Sequence, residues 1–274
     1  MPHGAIAGMG KVSDDGVTTT SRGTAVTAAA TAHTKGAYAQ IIASTAHAAK
    51  GFLVQLGNAS AGVDYSVDIA IGGAGSEIII VADLLAGSGT GSIARQGAYF
   101  IPIPIPAGTR VSARCQATTL SSALRAKVHL LGDLPGGMEP FGKCVRYGFV
   151  SATTQGTTID PGATANTKGA WTQLVAATTY AIKALWFDTS NLVQVTRTSA
   201  DWLLDLGIGG AGAELVIAPN FHIEASTTDD TLVHGPSPLL PVSIPAGSRL
   251  SARCMSSLNT ATVRNLAVAV YGLS

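Results

Sequence analysis

Short apolar runs, many of them β-branched and bounded by Gly, Pro, Asn or Ser, recur along the chain. That is the pattern of strands rather than of helices. In the first half they fall at residues 38–43, 51–56, 65–71, 77–82, 99–105, 110–117 and 126–131. Ser66-Val-Asp-Ile-Ala-Ile71 and Arg110-Val-Ser-Ala-Arg-Cys115 alternate larger apolar residues with polar or small ones, as a strand does when one face meets a core and the other looks outward. Ala28–Ala32 could wind into a helical turn, but the matching Pro161-Gly-Ala-Thr-Ala165 is poor helix material, so both are read as loop. Strands at this spacing predict an all-β fold of antiparallel sandwiches, either a jelly roll or a related Greek key.

The same pattern is written twice. Asp68-Ile-Ala-Ile-Gly-Gly-Ala-Gly-Ser-Glu77 returns as Asp205-Leu-Gly-Ile-Gly-Gly-Ala-Gly-Ala-Glu214, and Ile105-Pro-Ala-Gly-Thr-Arg-Val-Ser-Ala-Arg-Cys115 as Ile244-Pro-Ala-Gly-Ser-Arg-Leu-Ser-Ala-Arg-Cys254. Thr34-Lys-Gly-Ala-Tyr38 likewise matches Thr167-Lys-Gly-Ala-Trp171; the offset grows from 133 through 137 to 139, as when loops gain residues and strands do not. A period this long is a whole domain copied once. The expected organisation is a first sandwich over 1–132 with a Gly-rich N-terminal extension, a linker over 133–149 and a second sandwich over 150–274. Leu134-Pro-Gly-Gly-Met-Glu-Pro-Phe-Gly142 marks the boundary. The extension is a candidate arm onto a neighbouring subunit.

Two turn signals carry a mechanism. Gly-Gly-Ala-Gly between strands needs positive φ, and it lacks the Gly-Lys-Ser/Thr end or the helix that a phosphate-binding loop requires. In Ile-Pro-Ala-Gly, Pro presets φ and Gly accepts the left-handed region, which predicts a hairpin. Ile101-Pro-Ile-Pro-Ile-Pro106 lacks alternate backbone donors, so it belongs at a sheet edge or in a polyproline-like segment, and Leu240-Pro-Val-Ser-Ile-Pro245 takes the same place in the second copy.

Only 12% of the 274 residues are charged and the formal net charge is +1, leaving broad uncharged faces of the kind that mark association surfaces. No Lys/Arg stripe points to nucleic acid, no apolar run is long enough for a membrane helix, and no export signal opens the chain. Cys115 and Cys254 fall at matching strand positions and read as buried free thiols. Cys144 falls in the linker, compatible with a reducing compartment at synthesis.

Catalysis needs a converging acid, base or nucleophile, and none is evident. His3, His33, His47, His129, His222 and His234 have no His counterpart across the copies; His33 matches Asn166 and His47 matches Tyr180. No catalytic, cofactor-binding or metal-ligating residue is assigned. Four charged pairs are read as shared, Asp68 with Asp205, Glu77 with Glu214, Arg110 with Arg249 and Arg114 with Arg253. They fit exposed ion pairs that fix the turns, with a calcium site as the weaker alternative. All three Trp lie in the second copy, Trp171, Trp186 and Trp202 replacing Tyr38, Leu53 and Tyr65. Core packing is the first reading and a glycan-binding aromatic platform the second.

In its two Ile-Gly-Gly-Ala-Gly-x-Glu turns, its two Ile-Pro-Ala-Gly-x-Arg-x-Ser-Ala-Arg-Cys segments and its charge-poor Ala/Thr/Gly/Ser background, the chain resembles structural proteins of tailed-bacteriophage virions. The resemblance covers the repeats and not the linker. It implies a non-enzymatic, β-rich virion component without cofactors, assembled in the host cytoplasm, either a head decoration protein or part of a tail or fibre. The partners expected are other virion proteins and further copies of the chain itself, as a homo-oligomer. A trimer would let three duplicated chains fill six quasi-equivalent places. The alternative is a fibre or spike protein that recognises host glycans through the second domain.

Overall fold

The computed structural model describes residues 12–15, 23–87, 97–190, 200–225, 236–260 and 264–274. Residues 1–11 of the expected N-terminal arm, with His3 and His234, lie outside them. The described residues form nineteen strands: β1 Val12–Asp15, β2 Thr24–Thr27, β3 Ala39–Ile42, β4 Gly51–Gly57, β5 Asp64–Ile71, β6 Ile78–Gly87, β7 Gly97–Ile101, β8 Val111–Ala117, β9 Ala123–Leu131, β10 Cys144–Tyr147, β11 Phe149–Val150, β12 Gln155–Ile159, β13 Thr172–Val175, β14 Ile182–Ser190, β15 Ala200–Ile208, β16 Leu215–Ala225, β17 Leu240–Ile244, β18 Leu250–Ser256 and β19 Leu266–Leu273. No α-helix occurs among the described residues, so the fold is all-β.

The chain divides into two compact units that change over between Cys144 and Val145, with Ala61–Tyr65 counted to the second. In the first unit β2 and β1 both pair with β9, which is followed by β4 and β7; a second sheet runs β3-β8-β5-β6. In the second unit β12 pairs with β19, followed by β14 and β17, and a second sheet runs β13-β18-β15-β16. Counting eight strands from β2 or from β12, each unit has the 1-8-3-6 and 2-7-4-5 sheets of a jelly roll. This decides between the two topologies the pattern allowed.

Each unit buries the inner faces of its two sheets. In the second, Leu185, Phe187, Val268 and Val270 from one sheet meet Trp202, Leu204, Leu206, Ala252 and Cys254 from the other in one cluster. In the first, Phe52, Val54, Val128 and Leu130 are fully buried, as are Val67, Ile69, Val111 and Cys115 of the opposite sheet. The alternation read in Arg110–Cys115 puts Cys115 in the core, where its thiol lies 3.4 Å from the Val26 carbonyl. Burial pushes the Cys115 and Cys254 thiols up to about 12, and that of Cys144 up as well.

Three expectations change. The Ile-Pro-Ala-Gly turn is not a hairpin: β7 pairs with β4 and β8 lies in the other sheet, so the turn carries the chain from one sheet to the other, and β17 to β18 does the same. Local turn chemistry is the same in both cases; which partner the next strand finds is decided by the core. Within the segment expected to be linker, Cys144–Tyr147 forms β10 on β19. β2 lies outside the apolar runs of the first half because Thr24–Thr27 is short and half Thr, and β12, Gln155–Ile159, is its equally short counterpart. Their places are fixed by ladders such as Val26 opposite Leu124 and Thr157 opposite Val268. The edge position of the Pro-bearing segments does hold, since β7 and β17 end their sheets.

Candidate functional site

The residues that the two halves share come together on the outer face of the β3-β8-β5-β6 sheet and again on that of β13-β18-β15-β16. The Gly-Gly-Ala-Gly turn joins β5 to β6, with Gly72 at φ 113° and Gly75 at φ 81°; Gly209 and Gly212 repeat these at 115° and 81°. A Cβ at Gly72 or Gly209 would also stand 2.8 Å from the carbonyl oxygen of Ser76 or Ala213, so Gly is required by both conformation and space.

Arg110 straps this turn. Its guanidinium donates to Glu77 Oε1 at 3.0 Å, to the Gly72 carbonyl at 3.4 Å and to Gln40 Oε1 at 3.1 Å, while Glu77 Oε2 accepts the Gly75 N–H at 2.9 Å. Arg249 repeats the arrangement with Glu214 at 2.7 Å, Gly209 at 3.4 Å and Gln173 at 3.1 Å. Burial pushes the Glu77 and Glu214 carboxyls up, but the Arg and backbone hydrogen bonds outweigh it and hold both below the ordinary Glu value.

Beside the strap, Asp68 is clamped by Lys35 Nζ at 2.8 Å and Arg114 Nε at 2.9 Å, and Asp205 by Lys168 Nζ at 2.6 Å and Arg253 Nε at 2.9 Å. Both aspartates are buried, at 2% and 3% exposure, so these are not the exposed pairs that the sequence suggested. For Asp205 burial raises the carboxyl's pKa, yet the bonds from Lys168, the Asn220 N–H and Arg253 bring it below the ordinary value. Arg114 lies 4.7 Å over the Tyr38 ring and Arg253 4.6 Å over that of Trp171.

All four charged pairs noted in the sequence thus take part. Reading them as the shared set left out Lys35 and Lys168, although both sit inside the Thr-Lys-Gly-Ala match, and also Gln40 with Gln173. Thr45 and Thr178 were missed too. Thr45 Oγ1 donates to the Pro106 carbonyl at 2.7 Å and accepts the Thr109 N–H at 3.0 Å; Thr178 holds Pro245 and Ser248 at 3.0 and 3.2 Å. Their matching spacing was visible, but nothing local ties them to a turn more than sixty positions away.

The three Trp do not form a platform. Trp202 is fully buried with Nε1–H donating to the Arg264 carbonyl at 2.6 Å, and Trp186 is buried and stacked on Tyr271 at 5.1 Å. Trp171 lies half-buried on the outer face of the β13-β18-β15-β16 sheet. Among the described residues no group of three or more His, Cys, Asp or Glu is placed to hold a metal ion. His33 and Asn166 share a structural duty instead, both at φ 57°.

No known family and no curated protein matches the sequence. Among solved structures, PNGF-II is similar over 86% of this chain and 59% of its own, at 7% identity and a TM-score of 0.38. The chain therefore spans less than two thirds of that protein.

Proposed function

We propose that the chain is a non-enzymatic structural component of a bacteriophage virion, a capsid decoration or other surface protein that binds neighbouring virion subunits and its own copies, most simply as a trimer. The observation that carries this reading is a pair of apolar residues standing in solvent just beyond the same turn of each unit. Ile78 and Ile79 are 67% and 40% exposed, Leu215 and Val216 67% and 36%. The carboxylate next to each pair, Glu77 or Glu214, is turned inward onto its Arg, so the tip keeps no free charge of its own. A shallow recess of about 550 Å³ beside Leu215 is lined by Ile208, Ala213, Pro245 and Arg249 among others. Apolar tips of this kind, repeated on one chain, fit burial against repeated neighbours in a lattice. Jelly rolls are a frequent design of viral capsid proteins, and of lectins as well.

The test is the mass of the purified chain by light scattering, with and without particles stripped of their outer proteins. A trimer that attaches to the particles, and loses attachment when Ile78 and Leu215 are both changed to Asp, is the expected result. A monomer that ignores particles overturns the reading; binding to a sugar array would then favour the glycan-recognising alternative.

A further inference from the structure

Lys35 stands between two buried carboxylates. Its Nζ lies 2.8 Å from Asp68 Oδ1 and 2.6 Å from Asp83 Oδ1, and the side chains of the two aspartates are only 2% and 8% exposed. It also donates to Ser66 Oγ at 2.9 Å and to the Ser66 carbonyl at 3.2 Å. Three features meet there. The Asp68 carboxyl has its far oxygen, Oδ2, held by Arg114 Nε at 2.9 Å. Its near oxygen, Oδ1, accepts the Asp83 backbone N–H at 3.0 Å. The Asp83 carboxylate, oriented by Ser66 Oγ at 2.8 Å, touches the same amine.

We propose that Lys35 and Asp68 join in an intramolecular amide, with Asp83 carrying the protons. Asp83 takes a proton from the Lys35 ammonium along their contact and passes it to Asp68 Oδ1, which leaves Nζ with a free electron pair beside an uncharged Asp68 carboxyl. The N–C bond forms as negative charge gathers on Oδ2, where the Arg114 guanidinium stabilises it. Asp83 then takes a second proton from the nitrogen. As that proton also reaches Oδ1, the C–O bond breaks and one water leaves. Ammonium and carboxylate become amide and water, with no oxidant, cofactor or activated donor required. Fixed neighbours at this distance replace the high concentration that an untethered amine and carboxylate would need, and burial disfavours the charged reactants relative to the neutral amide.

The second unit supplies an internal control. Lys168, Asp205 and Arg253 match Lys35, Asp68 and Arg114 in identity and contacts, and the Asn220 N–H reaches Asp205 Oδ1 at 2.9 Å as that of Asp83 reaches Asp68. The backbone agrees as well, Asp83 and Asn220 standing at φ 54° and 53°. The difference is the side chain at that place: Asn220 offers an amide, which cannot take up the proton from Lys168. The cross-link therefore belongs to the first unit.

Intact-mass measurement on the purified full chain, followed by peptide mapping, tests this without any variant. The expected result is a mass lower by one water and a branched peptide joining the Lys35 segment to the Asp68 segment. Lys35→Arg and Asp83→Asn chains should return to full mass, and Asn220→Asp should lose a second water by linking Lys168 to Asp205. A folded wild-type chain at full mass overturns the proposal and leaves the cluster an ion-pair network only. A lost water that persists in Lys35→Arg overturns it equally.

Discussion

Trp171 occupies the space in which residue 207 would carry a side chain: a Cβ on Gly207 would lie 2.8 and 2.9 Å from two atoms of the Trp171 benzo ring. The first unit has Tyr38 and Ala70 at the corresponding positions, a smaller ring over a larger strand residue. The exchange keeps the volume of the pair roughly constant, as packing at a close contact demands. With Gly207 against the ring and Arg253 over it, Trp171 belongs to the sheet's own packing.

Gly207→Ala should therefore destabilise the second unit by about 1–3 kcal/mol through overpacking. Trp171→Tyr made in the same chain should recover much of that loss. Denaturant unfolding of the two single variants and the double variant measures the coupling; strictly additive effects would contradict the contact.

Trp202 and Trp171 should separate cleanly. Trp202→Phe leaves the half-buried Arg264 carbonyl without the indole N–H that reaches it at 2.6 Å, for a loss of about 1–3 kcal/mol. Trp171→Phe, on a half-exposed outer face, should cost less. Thermal unfolding of both variants ranks them.

Thr45 and Thr178 each tie together a turn that crosses between sheets. Thr178→Val keeps the shape of this buried side chain but removes its hydrogen bonds to the Ser248 N–H and the Pro245 carbonyl, which keep only their bonds to each other and to the Ser248 hydroxyl. A loss of about 1–2 kcal/mol is expected, and a similar one for Thr45→Val. Thr→Ser at either site should retain most of the stability.

Stability should fall in acid. Asp205, Glu77, Glu214 and Asp160 all have carboxyls held below their ordinary values. A group with a depressed folded pKa binds protons more readily when unfolded, so its contribution is complete above the unfolded carboxylate range of about 4 and is lost as pH falls through the folded value. Unfolding midpoints should be flat near neutrality and drop below pH of about 4. Arg249→Gln should shift the drop by removing the partner of Glu214, and unchanged acid behaviour would speak against that pairing.

Cys115 and Cys254, with thiols pushed up to about 12 by burial, should resist alkylation in the native chain near pH 8 and react fully once it unfolds. Thiol counting with and without denaturant distinguishes the two states.

The amino-acid order by itself determined the local chemistry. Alternating strands around Asp68 and Arg114, glycines where φ must be positive, and edge segments spoiled by Pro all follow from period, sterics and missing donors within a few residues. So does the pairing of each half with the other, because a repeat is a property of the sequence alone. What only the tertiary structure decided is which distant pieces meet. It placed β7 and β8 in different sheets across a turn that reads as a hairpin, and it put Lys35 against Asp68 and Asp83 rather than in water. It also buried Trp186 and Trp202 while leaving Trp171 outside. Each of these contacts is set by sheets closing over a common core, which lies many residues away along the chain and leaves no local mark on the side chains it brings together.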